Sequence, residues 1–143
     1  MSGKEGAAPD AELPDAELIA AAVAARANAY VPYSGYHVGA ALRGRNGKIY
    51  TGVNVENAAY PEGTCAEAGA IAAMVLDGER EIVEAAVAGP EGAIITPCGG
   101  CRQKLREFSR PAVAVHSCDP NGHKQTVTIG DLLPHAFSPE HLS

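Results

Sequence analysis

Pro97-Cys98-Gly99-Gly100-Cys101 places two thiols three positions apart. A pair so spaced can cycle as a redox couple, form half of a structural zinc site, or belong to a catalytic one. The choice depends on which other side chains can be brought beside it. The first candidate is Thr64-Cys65-Ala66-Glu67, whose thiol precedes Cys98 by 33 positions. Zinc binds thiolate rather than thiol, and three thiolates on a tetrahedral ion leave one position without a protein ligand, the mark of a catalytic site. Glu67 follows Cys65 by two, near enough to serve such a site without ligating it. A carboxylate there can take a proton from water and pass it on. Each residue also has a plainer reading. Cys98 and Cys101 alone fit a redox pair as well as a zinc clasp. Cys65 alone reads as a small core hydrophobe, Glu67 alone as a solvated helix carboxylate, and Cys118 as a core thiol in a strand.

For this chemistry to assemble, both clusters must open helices. A helix N-terminus presents free N–H groups and the positive end of its dipole, which favour thiolate. The stretch CAEAGAIAAMVL (65–76) repeats apolar residues at three and four and is closed by Gly78. CGGCRQKLREF (98–108) reads as a second helix entered at its cysteines. An earlier helix over 15–30 opens at Pro14-Asp15 and repeats Leu18, Ala22, Ala25 and Ala29. Residues 37–55 read as a hairpin turning at Asn46-Gly47. Residues 81–89, 112–117 and 125–129 read as strands, the last two parted by the turn Asp119-Pro120-Asn121-Gly122. AIIT (93–96) is either a short extension or a loop. The order of helices and strands predicts a sheet with helices packed on both faces.

The bulk composition narrows the function. The 143 residues suit one domain, and 46% of them are apolar, enough for a real core. Net charge is −6, from 17 acidic against 11 basic residues, with no basic block, which argues against nucleic-acid or anionic-membrane partners. No apolar run of about 18 residues is present to span a bilayer. The start of the chain has no apolar stretch typical of a signal peptide, so a cytoplasmic, reducing location is expected and disulfides are the weaker reading of the four cysteines. Residues 1–13, rich in Ala, Pro and acid, read as a mobile tail before a single domain over 14–143.

Four separated motifs, VPYSGYHVGAAL, NVENAAYPEGTCAEAGAI, TPCGGCRQKLREF and LLPHAFSPEHL, together resemble the small homotetrameric zinc-dependent cytidine deaminases. The resemblance runs from about residue 15 to the C-terminus and implies a three-layer α/β/α sandwich with a mixed sheet of about five strands. It implies one Zn²⁺ per chain on Cys65, Cys98 and Cys101, with Glu67 as the proton shuttle. The substrate would be a nucleoside, cytidine or 2′-deoxycytidine, hydrolysed to its uracil counterpart and ammonia in pyrimidine salvage. Main-chain atoms of Ala66 and Thr96 would hold the base and the leaving amine. Asn54 and Glu56 would bind the sugar 3′-hydroxyl, Ala58 would line the site and Tyr36 would wall it. Tyr60 and Phe137 match positions that reach into a neighbouring subunit's site, so active sites would be shared within the homotetramer. One departure stands out. Many relatives carry Arg after Cys-Ala-Glu, and here the position is Ala68. Three thiolates on Zn²⁺ leave a net charge of −1, and Arg102 is the nearest charged residue in sequence to offset it; its plainer reading is an exposed helix arginine. His37, where relatives often have a basic residue, reads as a surface strand position.

Overall fold

The computed structural model describes residues 15–142. The tail expected over 1–13 lies outside the described residues. Helix α1 (Ala16–Ala25) starts where Asp15 caps it, accepting from the Leu18 N–H at 3.1 Å. The helix expected over 15–30 keeps α geometry only to Ala25 and tightens into one 3₁₀ turn at Arg26–Asn28. The cause lies outside the helix: Tyr30 donates its N–H to Asn54 O (3.0 Å) and accepts from the Glu56 N–H (2.8 Å), which pulls the chain into extended form.

Strands β1 (Gly39–Gly44) and β2 (Ile49–Val53) form the expected hairpin, with Gly47 at φ +86° in its turn. Helix α2 (Ala66–Leu76) follows, then β3 (Ile82–Ala88), α3 (Gly99–Phe108), β4 (Ser109–Asp119) and β5 (Gly122–Thr128). A short helix α4 (Ile129–Leu132) is an addition to the expected order. A capping box explains it, with Thr128 and Asp131 each satisfying the other's backbone N–H. The 93–96 segment has no regular structure. The sheet order is β2-β1-β3-β4-β5, antiparallel throughout except for the parallel β3–β4 pair that α3 connects.

The sheet buries both faces. On one, Leu18, Ile19 and Ala22 of α1 pack against Ala41, Ala86, Ala88 and Cys118. On the other, Ala66, Ala70, Ile71 and Met74 of α2 and Leu105 of α3 pack against Ala40, Leu42, Ala85 and Val115. Neighbouring strand residues therefore serve opposite layers, as the pleat requires, and the molecule is an α/β three-layer sandwich on a mixed five-stranded sheet. Cys118 is a core thiol, and burial lifts its pKa to about 11. Close approach is secured by glycine. A Cβ at Gly52 would fall 2.3 Å from both Ala66 O and Ala70 N, so only glycine lets the first turn of α2 lie on β2.

Candidate active site

Gly52 thereby sets the height of the α2 N-terminus. Cys65 is the N-cap of α2 and Cys98 the N-cap of α3, each in extended backbone geometry with no side-chain cap bond. Cys101 lies one turn into α3 and is buried, whereas Cys65 and Cys98 are open to solvent. The three sulfurs lie within 4.8 Å of one another, with Cys65 Sγ and Cys98 Sγ 3.7 Å apart. Tetrahedral Zn–S bonds of about 2.3 Å require sulfurs about 3.8 Å apart. The cluster fits zinc in spacing and in ligand type. Its electrostatics agree. Burial pushes the Cys65 and Cys101 thiols up, while the Cys101 backbone N–H pulls Cys98 down. A divalent cation held by the three sulfurs would favour the thiolate form that burial of Cys65 and Cys101 opposes.

Glu67 is 4% exposed on the first turn of α2, beside the sulfurs and lining the same cavity. Burial raises its carboxyl above the usual range; its own backbone N–H, the Cys101 thiol and the Lys104 ammonium pull the other way. A buried carboxyl raised in this way is suited to take up and hand on a proton. The cavity, of about 430 Å³, is open and is lined also by Tyr36, Val38, Asn54, Tyr60, Thr64, Ala66, Ile95 and Thr96. A second recess of about 370 Å³, lined by Tyr33, Ser34, Glu56 and Asn57, shares Tyr60 and Gly63 with it.

Asn54 and Glu56 follow β2 on a segment pinned by bridges from Val55 to Tyr30 and Thr64. Expected to act together, they sit in adjoining recesses and already have partners. Asn54 accepts from the Val38 N–H (2.9 Å) and donates to Tyr36 O (2.7 Å). Glu56 accepts from the N–H groups of Tyr33 and Ser34 and from the Ser34 hydroxyl, which lower its carboxyl pKa. Ala58 is exposed on the bend beyond, outside both recesses. Tyr60 is 76% exposed, stands edge-to-face to Tyr33 at 5.9 Å, and lines its own chain's cavity. Phe137 lies outside that cavity, 57% exposed, stacked on His141 with its carbonyl held by Gln103 at 2.9 Å. His37 sits before β1 rather than in it, its ring 3.1 Å from Gly35 O.

Arg102 departs from both readings made of it. It is half-buried, and its guanidinium donates to Pro97 O (2.7 Å), Thr96 Oγ1 (2.9 Å) and Leu132 O (3.0 Å), not to a sulfur. The sequence offered no sign of Ile95 as a wall or of Ser34 as the partner of Glu56. Ser34 stood inside the VPYSGY motif, but nothing local linked it to a residue 22 positions away.

Residues 14–117 match the family model for the cytidine and deoxycytidylate deaminase zinc-binding region. The chain is 43% identical over 127 residues to a cytidine deaminase of Sporosarcina psychrophila, covering 89% of this chain and 93% of that one. It is 39% identical to the cytidine deaminase of Halalkalibacterium halodurans, over 88% of this chain and 96% of that one. Its fold superposes on crystal structures of cytidine deaminases from Burkholderia pseudomallei (TM-score 0.81, 42% identity, 87% of this chain, 100% of that one) and Mycobacterium tuberculosis (TM-score 0.77, 36% identity, 87% and 98%).

Proposed function

Because the chain belongs to the cytidine and deoxycytidylate deaminase family and is an enzyme of the cytidine deaminase type, we propose that it hydrolyses the exocyclic amine of cytidine and 2′-deoxycytidine. Water enters at C4, ammonia leaves, and uridine or 2′-deoxyuridine is the product. The observation that carries this reading is the clustering of three sulfurs at a cavity that Cys65, Cys98 and the buried carboxyl of Glu67 line. Cys65, Cys98 and Cys101 would hold one zinc per chain. Zinc bound there supplies the Lewis acidity that activates water at neutral pH.

Glu67 does the proton work, taking a proton from the attacking water and delivering protons to ring N3 and then to the departing amine. Its raised carboxyl makes both transfers accessible. The main chain of Ala66 and Thr96 orients the base, and Tyr36 walls the nucleoside. Asn54 and Glu56 receive the sugar at the far end, with Ala58 beyond them. No lysine, arginine or histidine lines either recess among the described residues. The family description covers nucleoside and nucleotide deaminases alike, and a site without a cation favours the uncharged nucleoside over its phosphate ester. Tyr60 and Phe137 extend toward a neighbouring subunit in a homotetramer. No helix among the described residues is long and apolar enough to cross a membrane, and we assign the enzyme to the cytoplasm and to pyrimidine salvage.

Incubation with cytidine, followed by loss of cytosine absorbance, tests the activity. Glu67→Gln should keep zinc and bind nucleoside while turning over at least ~10²-fold more slowly, the lower end for general acid–base catalysis. Near-normal turnover by that variant would refute the role of Glu67.

A further inference from the structure

The two residues before Cys98 belong to no helix or strand, yet one of them lines the cavity and the next leads directly into the sulfur cluster. Their placement must come from side chains. Pro97 is buried and offers only a carbonyl, since proline has no N–H. That carbonyl accepts from Arg102 Nε at 2.7 Å, and the hydroxyl of Thr96 accepts from the same guanidinium at 2.9 Å. A third donation reaches Leu132 O at 3.0 Å, the last residue of α4 and the root of the C-terminal segment that carries Phe137. Arg102 is itself anchored, its N–H bonded to Cys98 O at 2.9 Å within the first turn of α3. One planar, always-charged fork therefore joins the loop before Cys98, the helix carrying Cys101 and the C-terminal segment. Lysine cannot do this, having a point charge in place of a fork.

We propose that Arg102 is a positioning residue, which fixes Cys98 and Thr96 against the Cys65–Cys101 pair and ties the C-terminal segment to the metal loop. The proposal rests on the reading of the three sulfurs as a zinc site. It acts through geometry, since the guanidinium spends its donors on oxygen. Residues that orient metal ligands from outside typically change metal affinity or activity by about 10–100-fold when altered.

The test uses the full chain loaded with zinc, and in parallel with Co²⁺, whose absorption reports ligand geometry. Arg102→Gln and Arg102→Lys should each lose metal to a chelator about 10-fold faster or more, with a shifted cobalt spectrum. Lysine should fail to rescue, because only a fork reaches all three oxygens. Arg106, further along α3, donates to Ser109 O at 3.1 Å away from the sulfurs. Arg106→Gln should leave the cobalt spectrum and the chelation rate unchanged even where it lowers thermal stability. If Arg102→Gln does not fold, Thr96→Val removes one arm of the clamp and should move the same two readings. A native chain that holds no metal overturns the zinc reading and takes this proposal with it. A native chain that holds metal, with the Arg102 variants and Thr96→Val indistinguishable from it in spectrum and chelation rate, overturns the proposal alone.

Discussion

Glu67 and Cys65 stand two positions apart but are treated oppositely by their surroundings. The carboxyl is buried at 4% exposure, while the thiol, at the N-cap position of the same helix, is open to solvent. Replacing Cys65 with Ala leaves two sulfurs of three, and metal analysis should find zinc lost or greatly weakened. Undiminished zinc in that variant would sink the ligand assignment. Burial of Glu67 also has a signature in the metal-free protein. Its folded pKa lies above its unfolded value, so the folded state holds the proton more tightly. Folding stability is then undiminished below the unfolded pKa and declines as pH rises through the window between the two values. Glu67→Gln has no such proton to lose. Thermal melts of the metal-free proteins should show the variant gaining on the native chain from acid to neutral pH. Parallel curves across that range would mean that the carboxyl is not desolvated.

Elements set what those residues can reach. Helix α2 delivers Cys65 and Glu67 only because its first turn lies directly on β2 at Gly52. Gly52→Ala puts a methyl 2.3 Å from backbone atoms of Ala66 and Ala70, so the helix must lift. We expect a loss of at least about 1–3 kcal/mol, as for overpacking a core, measured by denaturant unfolding, together with faster release of zinc. Gly69 is the control. A Cβ there meets nothing nearer than 3.5 Å, an ordinary contact, and alanine is the better helix former by about 1 kcal/mol. Gly69→Ala should therefore be neutral or stabilising. Equal destabilisation by the two changes would show that the close approach at Gly52 is not what positions the site.

At the scale of the whole molecule, one chain leaves large apolar side chains in the open. Phe137 is 57% exposed, Tyr60 76% and Leu142 78%. Phe137 lies between Pro134 and Pro139, on a segment held to α3 through Gln103. A ring displayed on a braced segment suits an interface anchor, in keeping with the homotetramer proposed above. Phe137→Ala should weaken association and nucleoside binding together while zinc is retained. Sedimentation decides: a native protein that is monomeric and fully active at assay concentration would mean that each site is complete by itself.

The sequence by itself determined the elements and the chemical inventory. Helix starts at Cys65 and Cys98, the hairpin at Asn46-Gly47 and the order of five strands depend on neighbours within a turn or two, and such signals are local. The residue types left several readings open, and it was the resemblance of four separated motifs to the cytidine deaminases that implied three cysteine ligands with a carboxylate beside them. The tertiary structure alone decided how side chains from distant segments share partners. Arg102 looked like a surface charge because its acceptor at Leu132 lies 30 positions away. Glu56 and Ser34 meet across 22 positions, and the first helix ends early because Tyr30 is claimed by Asn54 and Glu56 from the far side of the hairpin. The capping box at Thr128 was readable in the chain, but a four-residue helix has too little periodicity to announce itself. Hydrogen bonds between remote segments leave no period in the sequence, so which side chain fixes which loop is known only once packing has brought them together.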